Sequence, residues 1–202
     1  MTAPAGLVSV QLSTPVTWAS LPVTDPELGW VDRTAALLAD ADDVRAELAA
    51  ILEQARPELL TEPLLALAVW VPDRSVSAVT GLLTVDWIEP DEGRALTRDY
   101  YRSLIDPDRR RGHTAFGRAV DDVEVPAGPA LLVQEVISRP DRSSFPARSK
   151  PQENVIYTVF PPGCREAIEL TFATPALHLG DALAADAATV VETLRVNLDL
   201  TS

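Results

Sequence analysis

Cysteine is almost absent from this 202-residue chain: Cys164 stands alone, so no intrachain disulfide can form. Histidine is nearly as scarce. His113 and His178 are the only two, and neither has a second metal-type ligand at helical spacing. No apolar run approaches the ~18 residues that a helical membrane span needs. The opening residues, MTAPAGLVSVQL, place no Lys or Arg before their short apolar run, unlike a secretory signal. The expectation is a cytoplasmic protein without membrane insertion. Glycine-rich phosphate loops of the nucleotide and dinucleotide types are missing, and so is a Gly-x-Ser-x-Gly elbow. Cys164 and His178 are the one pair that suggests a thiol nucleophile. Cys164 follows Pro161-Pro162-Gly163, however, with no helix N-terminus or base beside it to lower its pKa, and it reads as an inert thiol. No metal, no cofactor and no enzymatic activity are expected.

Positive charge is the other shortage. Seventeen Lys and Arg face 30 Asp and Glu, for a net charge of -13. Such a chain is repelled by phosphate backbones, which argues against general nucleic-acid binding. Sixteen of the 17 bases are Arg and Ala is abundant, a composition that points to a GC-rich bacterial genome.

The bases that exist gather in two segments. From Arg94 to Arg118 seven arginines face three aspartates, and from Arg139 to Asn154 four bases face two acids. Arg98 and Arg102 are one helical turn apart and share a face. Together with Arg109, Arg110, Arg111, Arg142, Phe145, Arg148 and Lys150 they are the candidate partner-binding residues, suited to electrostatic recognition of an acidic protein surface. The competing reading is a set of solvated turns, in which each exposed ion pair is worth only about 0.2–1 kcal/mol.

What the chain has in plenty is apolar sequence, 47% of its residues. At this length folding buries roughly 70% of the unfolded surface, so no disulfide or metal is needed to hold a core. Val8, Val10 and Leu12 alternate with polar residues and predict a half-buried strand. Residues 14–31, rich in proline, predict an ordered loop or extended cover. Its Trp18 and Trp30 either close the edge of the core or anchor a partner. A helix follows, with Asp32 as N-cap, a stripe through Leu37, Leu38, Ala41, Val44, Leu48, Ile51, Leu52 and Ala55, and Pro57 as its stop.

Leu64–Val71 is continuously apolar, as in a strand buried on both faces. A turn at Pro72–Ser75 leads to a strand from Val76 to Ile88 with a candidate bulge at Gly81. Pro90 opens a short helix with Leu96, Tyr100 and Leu104 on one side, ending near Asp106-Pro107. Phe116–Val125 and Ala130–Ser138 form a hairpin over Pro126–Pro129. Residues 139–154 predict a long loop. Strands follow at Val155–Phe160 and Glu166–Ala173, and an amphipathic helix at Gly180–Leu198 carries Leu183, Ala187, Val190, Val191, Leu194 and Leu198 in one stripe, with Asp186 away from it. The order lacks a strand–helix–strand rhythm, which disfavours a parallel doubly wound sheet. The fold class is α+β, an α/β/α sandwich whose mainly antiparallel sheet is flanked by helices, as one domain over residues 1–202.

The closing pattern resembles the PsbP-like superfamily: a Pro-Gly turn, then AIELTFATP, then an Ala-rich helix ending in ETLRV, over roughly Val155–Val196. That group includes the photosystem extrinsic subunit, a Ran-binding import factor, and bacterial lipoproteins and secretion-associated chaperones. The resemblance implies an antiparallel sheet sandwiched between helices and, more often than catalysis, the binding of protein partners; it transfers no site. The first expectation is therefore a non-enzymatic protein-binding adaptor or chaperone-like factor, with a protein partner and homo-oligomers left open. A small-molecule or lipid-binding domain, with Trp70, Trp87, Tyr100 and Tyr157 lining a pocket, is the alternative. An enzyme without a recognisable motif is the second alternative. A large apolar cavity with two or three converging polar groups would favour these two.

Overall fold

The computed structural model describes residues 6–23, 28–59, 64–90, 96–105, 114–141 and 148–199. Seven strands form one sheet: β2 (Trp18–Leu21), β3 (Ala66–Trp70), β4 (Gly81–Ile88), β5 (Thr114–Val125), β6 (Gly128–Asp141), β7 (Arg148–Val159) and β8 (Ala167–Thr174). Their order is β2-β3-β4-β8-β7-β6-β5, and every neighbouring pair is antiparallel. The α+β sandwich expected from the sequence is what the chain forms. Helices α1 (Trp30–Leu38), α2 (Asp42–Leu59) and α3 (Arg98–Leu104) cover one face, and α4 (Gly180–Glu192) covers the other.

Period-two alternation decides which side chain meets which helix. Leu67, Val69 and Val71 join Leu38, Leu48 and Leu52 of α1 and α2, whereas Ala68 and Trp70 join Leu183, Ala187 and Val190 of α4. The unbroken apolar run at 64–71 is thus a strand with two buried faces. A third cluster gathers Leu96, Leu131, Phe160 and Ala167 next to Tyr101 and Ile105 of α3.

Several elements depart from the sequence expectation. The proline-rich segment 14–31 contains β2, whose Trp18 pairs directly with Trp70; four residues between prolines are too short for a period to show. The terminal helix stops at Glu192, and Arg195–Asp199 is a strand, β9. Leu194, Val196 and Leu198 alternate, a period that the helical stripe concealed. The first strand, β1 (Gly6–Gln11), pairs with β9 in a separate two-stranded sheet. Thr193 ties the two ends: its hydroxyl accepts from the Ser13 amide at 2.8 Å and donates to the Val190 carbonyl at 2.7 Å.

The first predicted helix is two. Helix α1 starts after Gly29, whose φ of 75° suits glycine, so Asp32 lies in the first turn rather than at the cap. Helix α2 runs past Pro57 to Leu59, so the proline is not its stop. Gly81 is no bulge: it pairs in register with Trp70. A Cβ there would stand 2.8 Å from the Ala173 carbonyl oxygen and 3.0 Å from the Trp70 ring, so close approach explains the glycine. On α3, Tyr101 and Ile105 face the core, while Tyr100 and Leu104 are about half exposed. The predicted loop 139–154 is mostly strand. Arg139–Asp141 pairs with Arg148–Lys150 as a two-stranded ribbon beyond the sheet, since the pairing to β5 ends at Ser138 and that to β8 at Glu153. Pro151 lies beyond Glu153, where the described pairing of β7 with β8 ends, so its missing N–H breaks no ladder bond on that side.

Among the described residues no helix is long and apolar enough to cross a membrane, and no three metal-ligating side chains cluster.

Candidate ligand groove

Under α2 the sheet is not filled. Strand pairing sets Thr84 of β4 directly opposite Thr171 of β8, on the face that carries Leu67 and Val69. In the neighbouring row of that face Leu82 stands opposite the small Ala173, and Asn154 of β7 comes next. Ile51, Leu52 and Ala55 of α2 lie above them. The result is a groove of about 480 Å³ closed by Val69, Val79, Thr80, Gly81, Gln152 and Pro175. Its walls are mainly aliphatic, and among the described residues no lining side chain is ionisable.

The polar part of the lining is organised from beneath. Arg118 of β5 pairs with Glu135 of β6, directly across the hairpin, with Nη2 2.6 Å and Nε 2.8 Å from the same carboxylate oxygen. The Arg118 side chain is 5% exposed and that of Glu135 0%, so the pair is sealed from water. The other oxygen of Glu135 accepts from Asn154 Nδ2 at 3.3 Å, and Asn154 Oδ1 accepts from Gln152 Nε2 at 2.7 Å. A carboxylate can only accept, so it fixes the orientation of both amides in turn. The Gln152 amide nitrogen is turned toward Asn154, which leaves its carbonyl oxygen without a protein partner. Neither the Thr84 nor the Thr171 hydroxyl is engaged by another described residue, whereas Thr80 donates to the Trp70 carbonyl at 3.3 Å. Two hydroxyls and one amide therefore serve the groove without carrying charge.

The basic residues singled out in the sequence lie elsewhere. Arg98 and Arg102 do come together on α3, where both pair with Asp122, at 3.5 and 2.6 Å. Arg98 also reaches Glu124 at 3.3 Å, and Arg102 donates to the Val120 carbonyl at 3.2 Å. Arg148 and Lys150 stand on the ribbon, at register positions opposite Asp141 and Arg139. Arg109, Arg110, Arg111, Arg142 and Phe145 lie outside the described residues.

None of the four aromatics expected to line a pocket lines this groove. Trp70 and Tyr157 are buried against α4, and Trp87 and Tyr100 are 45% and 46% exposed. Trp18 and Trp30 are both buried and close the core. Cys164 is buried, with its thiol donating to Glu166 at 3.2 Å. Burial first, and the Glu166 carboxylate second, push that thiol's pKa up and hold it protonated.

No family model matches the chain, and no curated protein matches it significantly. Similar solved structures include these two. One is the crystal structure of LpqN, involved in cell envelope biogenesis of Mycobacterium tuberculosis, with 10% identity, 93% of this chain and 83% of that one covered, and a TM-score of 0.43. The other is the solution structure of cyanobacterial PsbP (CyanoP) from Synechocystis sp. PCC 6803, with 11% identity, 95% of each chain covered and a TM-score of 0.44. The likeness is one of fold. No feature of the groove is carried over from either protein.

Proposed function

We propose that this protein is a non-catalytic binding module that takes a small apolar ligand in the groove between α2 and the sheet. The observation that supports this is the groove itself. Its volume of about 480 Å³ lies within the ~300–1,000 Å³ range of ligand sites, and it joins aliphatic walls to a few placed polar groups. Among the described residues no acid, base or thiol lines it, which suits binding rather than chemistry. The test is titration with Nile red, an uncharged fluorescent dye. One equivalent should bind with enhanced emission, and Ala55→Trp, which fills the groove from α2, should abolish the signal while circular dichroism stays unchanged. A folded protein that never binds the dye, or an Ala55→Trp variant that binds as well as the parent, sinks the reading.

A second reading, recognition of an acidic protein surface, is favoured by the ribbon, where Arg139 and Lys150 stand directly opposite each other beyond the sheet. Once a partner is known, charge reversal at Lys150 together with Arg109, Arg110 and Arg111 should slow association at low salt. An unchanged rate removes that reading.

A further inference from the structure

Resting on the groove reading, we infer that the groove selects uncharged ligands bearing one hydrogen-bonding head, such as an alcohol, and rejects carboxylates and phosphates of the same length. The argument begins with what a ligand's head would meet. Among the described residues the polar side chains of the lining are Thr80, Thr84, Thr171 and Gln152, all neutral. The hydroxyls of Thr84 and Thr171 have no partner among the described residues and are adjacent across the β4–β8 pair. An anionic head placed there would lose its hydration and gain no counter-charge, which costs more than the hydrogen bonds return.

The nearest buried charges reinforce this. Arg118 is spent on Glu135, and the relay through Asn154 brings the carboxylate's demand for donors to Gln152. That relay turns the Gln152 amide nitrogen inward and leaves the carbonyl oxygen, an acceptor, as the unengaged end. A hydroxyl can donate to that oxygen and exchange hydrogen bonds with either threonine; a carboxylate can only accept. Specificity of this kind arises as much from the penalty on the wrong head as from contacts to the right one.

The test uses displacement of bound Nile red by three ten-carbon probes at pH 7: 1-decanol, 1-chlorodecane and decanoate. Decanol should displace the dye at the lowest concentration, chlorodecane at about three- to tenfold higher, and decanoate at more than tenfold higher. The double substitution Thr84→Val with Thr171→Val keeps shape and strand propensity. It should bring decanol toward the value of chlorodecane, with the bond to the Gln152 oxygen as the remainder, and leave chlorodecane unmoved. As a second arm, Gln152→Lys adds the one ionisable group to the lining and should improve decanoate about tenfold or more while changing chlorodecane little.

Decanoate equal to or tighter than decanol in the parent protein overturns the inference, and so does an alcohol preference that both valines leave undiminished. If the dye binds and none of the probes displaces it, the selectivity falls while the groove reading stands. If the dye does not bind at all, both fall.

Discussion

The two faces of the seven-stranded sheet are built from the same strands and finished differently. On the α4 face, Leu83, Phe172 and Val155 follow one another across β4, β8 and β7. Trp18 meets Phe172 edge-on at 5.7 Å and Tyr157 meets it at 6.5 Å, so large rings fill the space beneath one helix. One residue along each strand, on the other face, stand Thr84, Thr171 and Ile156. There the small residues Ala55 and Ala173 leave the groove open. A sheet can thus be closed for stability on one side and left open on the other, with the choice made by side-chain volume at alternate positions.

The sharpest way to break that comparison is to truncate neighbouring residues of β8. Phe172→Ala should cost about 3–5 kcal/mol by denaturant titration, since it empties a fully buried site that touches two other rings. Thr171→Ala, one position away on the groove face, should cost under about 1 kcal/mol. Similar losses at both sites would show that the groove face is packed as tightly as the other.

Glu135→Ala tests whether the open face has a rigid support. Removing one partner of a sealed ion pair strands Arg118, and about 3–5 kcal/mol of stability should go with it. Because the Asn154–Gln152 relay loses its anchor, dye affinity in the surviving folded fraction should fall as well. Unchanged affinity would detach the relay from the groove.

Asp186→Ala should come next in size. One oxygen of this residue on α4 accepts from Thr17 Oγ1 at 2.8 Å and from the indole nitrogens of Trp18 and Trp70 at 3.0 Å each. Without it two buried N–H groups lose their acceptor, at roughly 1–3 kcal/mol each before any water enters. The loss should be accompanied by a shift in tryptophan emission, because the two rings stack at 5.8 Å around this carboxylate.

How much of this was legible beforehand depended on whether a feature is local. The seven strands with a long alternating or unbroken apolar run could be read, as could the apolar stripe of α4. Strands β2 and β9 could not, being four and five residues long and overlapped by proline or by a helical period. Asp186 was read as an outward residue because helix periodicity knows only the apolar stripe; its acceptors' partners come from β2 and β3. The Arg118–Glu135 pair had a usable signal. A tight turn at Pro126-Ala127 sets the hairpin register, and counting back from Val125 and Gly128 brings the two together. The groove had no such signal, since Thr84 and Thr171 meet only once β4 is known to lie beside β8 rather than only beside β3.

The smallest effect is expected at the rim of the packed face, where Glu153 reaches the start of α4. A Cβ on Gly180 would overlap its carboxylate. Burial first, and the charge of Asp181 second, hold the Glu153 carboxyl above the usual glutamate range. A raised acid binds its proton more tightly in the folded chain than in the unfolded one. Its contribution therefore favours the fold fully below the unfolded pKa and is lost as pH rises through the folded pKa. At pH 7 the ionised group opposes folding, so Glu153→Gln should raise the melting temperature by the order of 1–2 °C. At about pH 3, where the carboxyl is protonated in both states, the same substitution should change nothing. A gain of equal size at both pH values would mean that shape, not charge, limits how closely β7 and α4 meet.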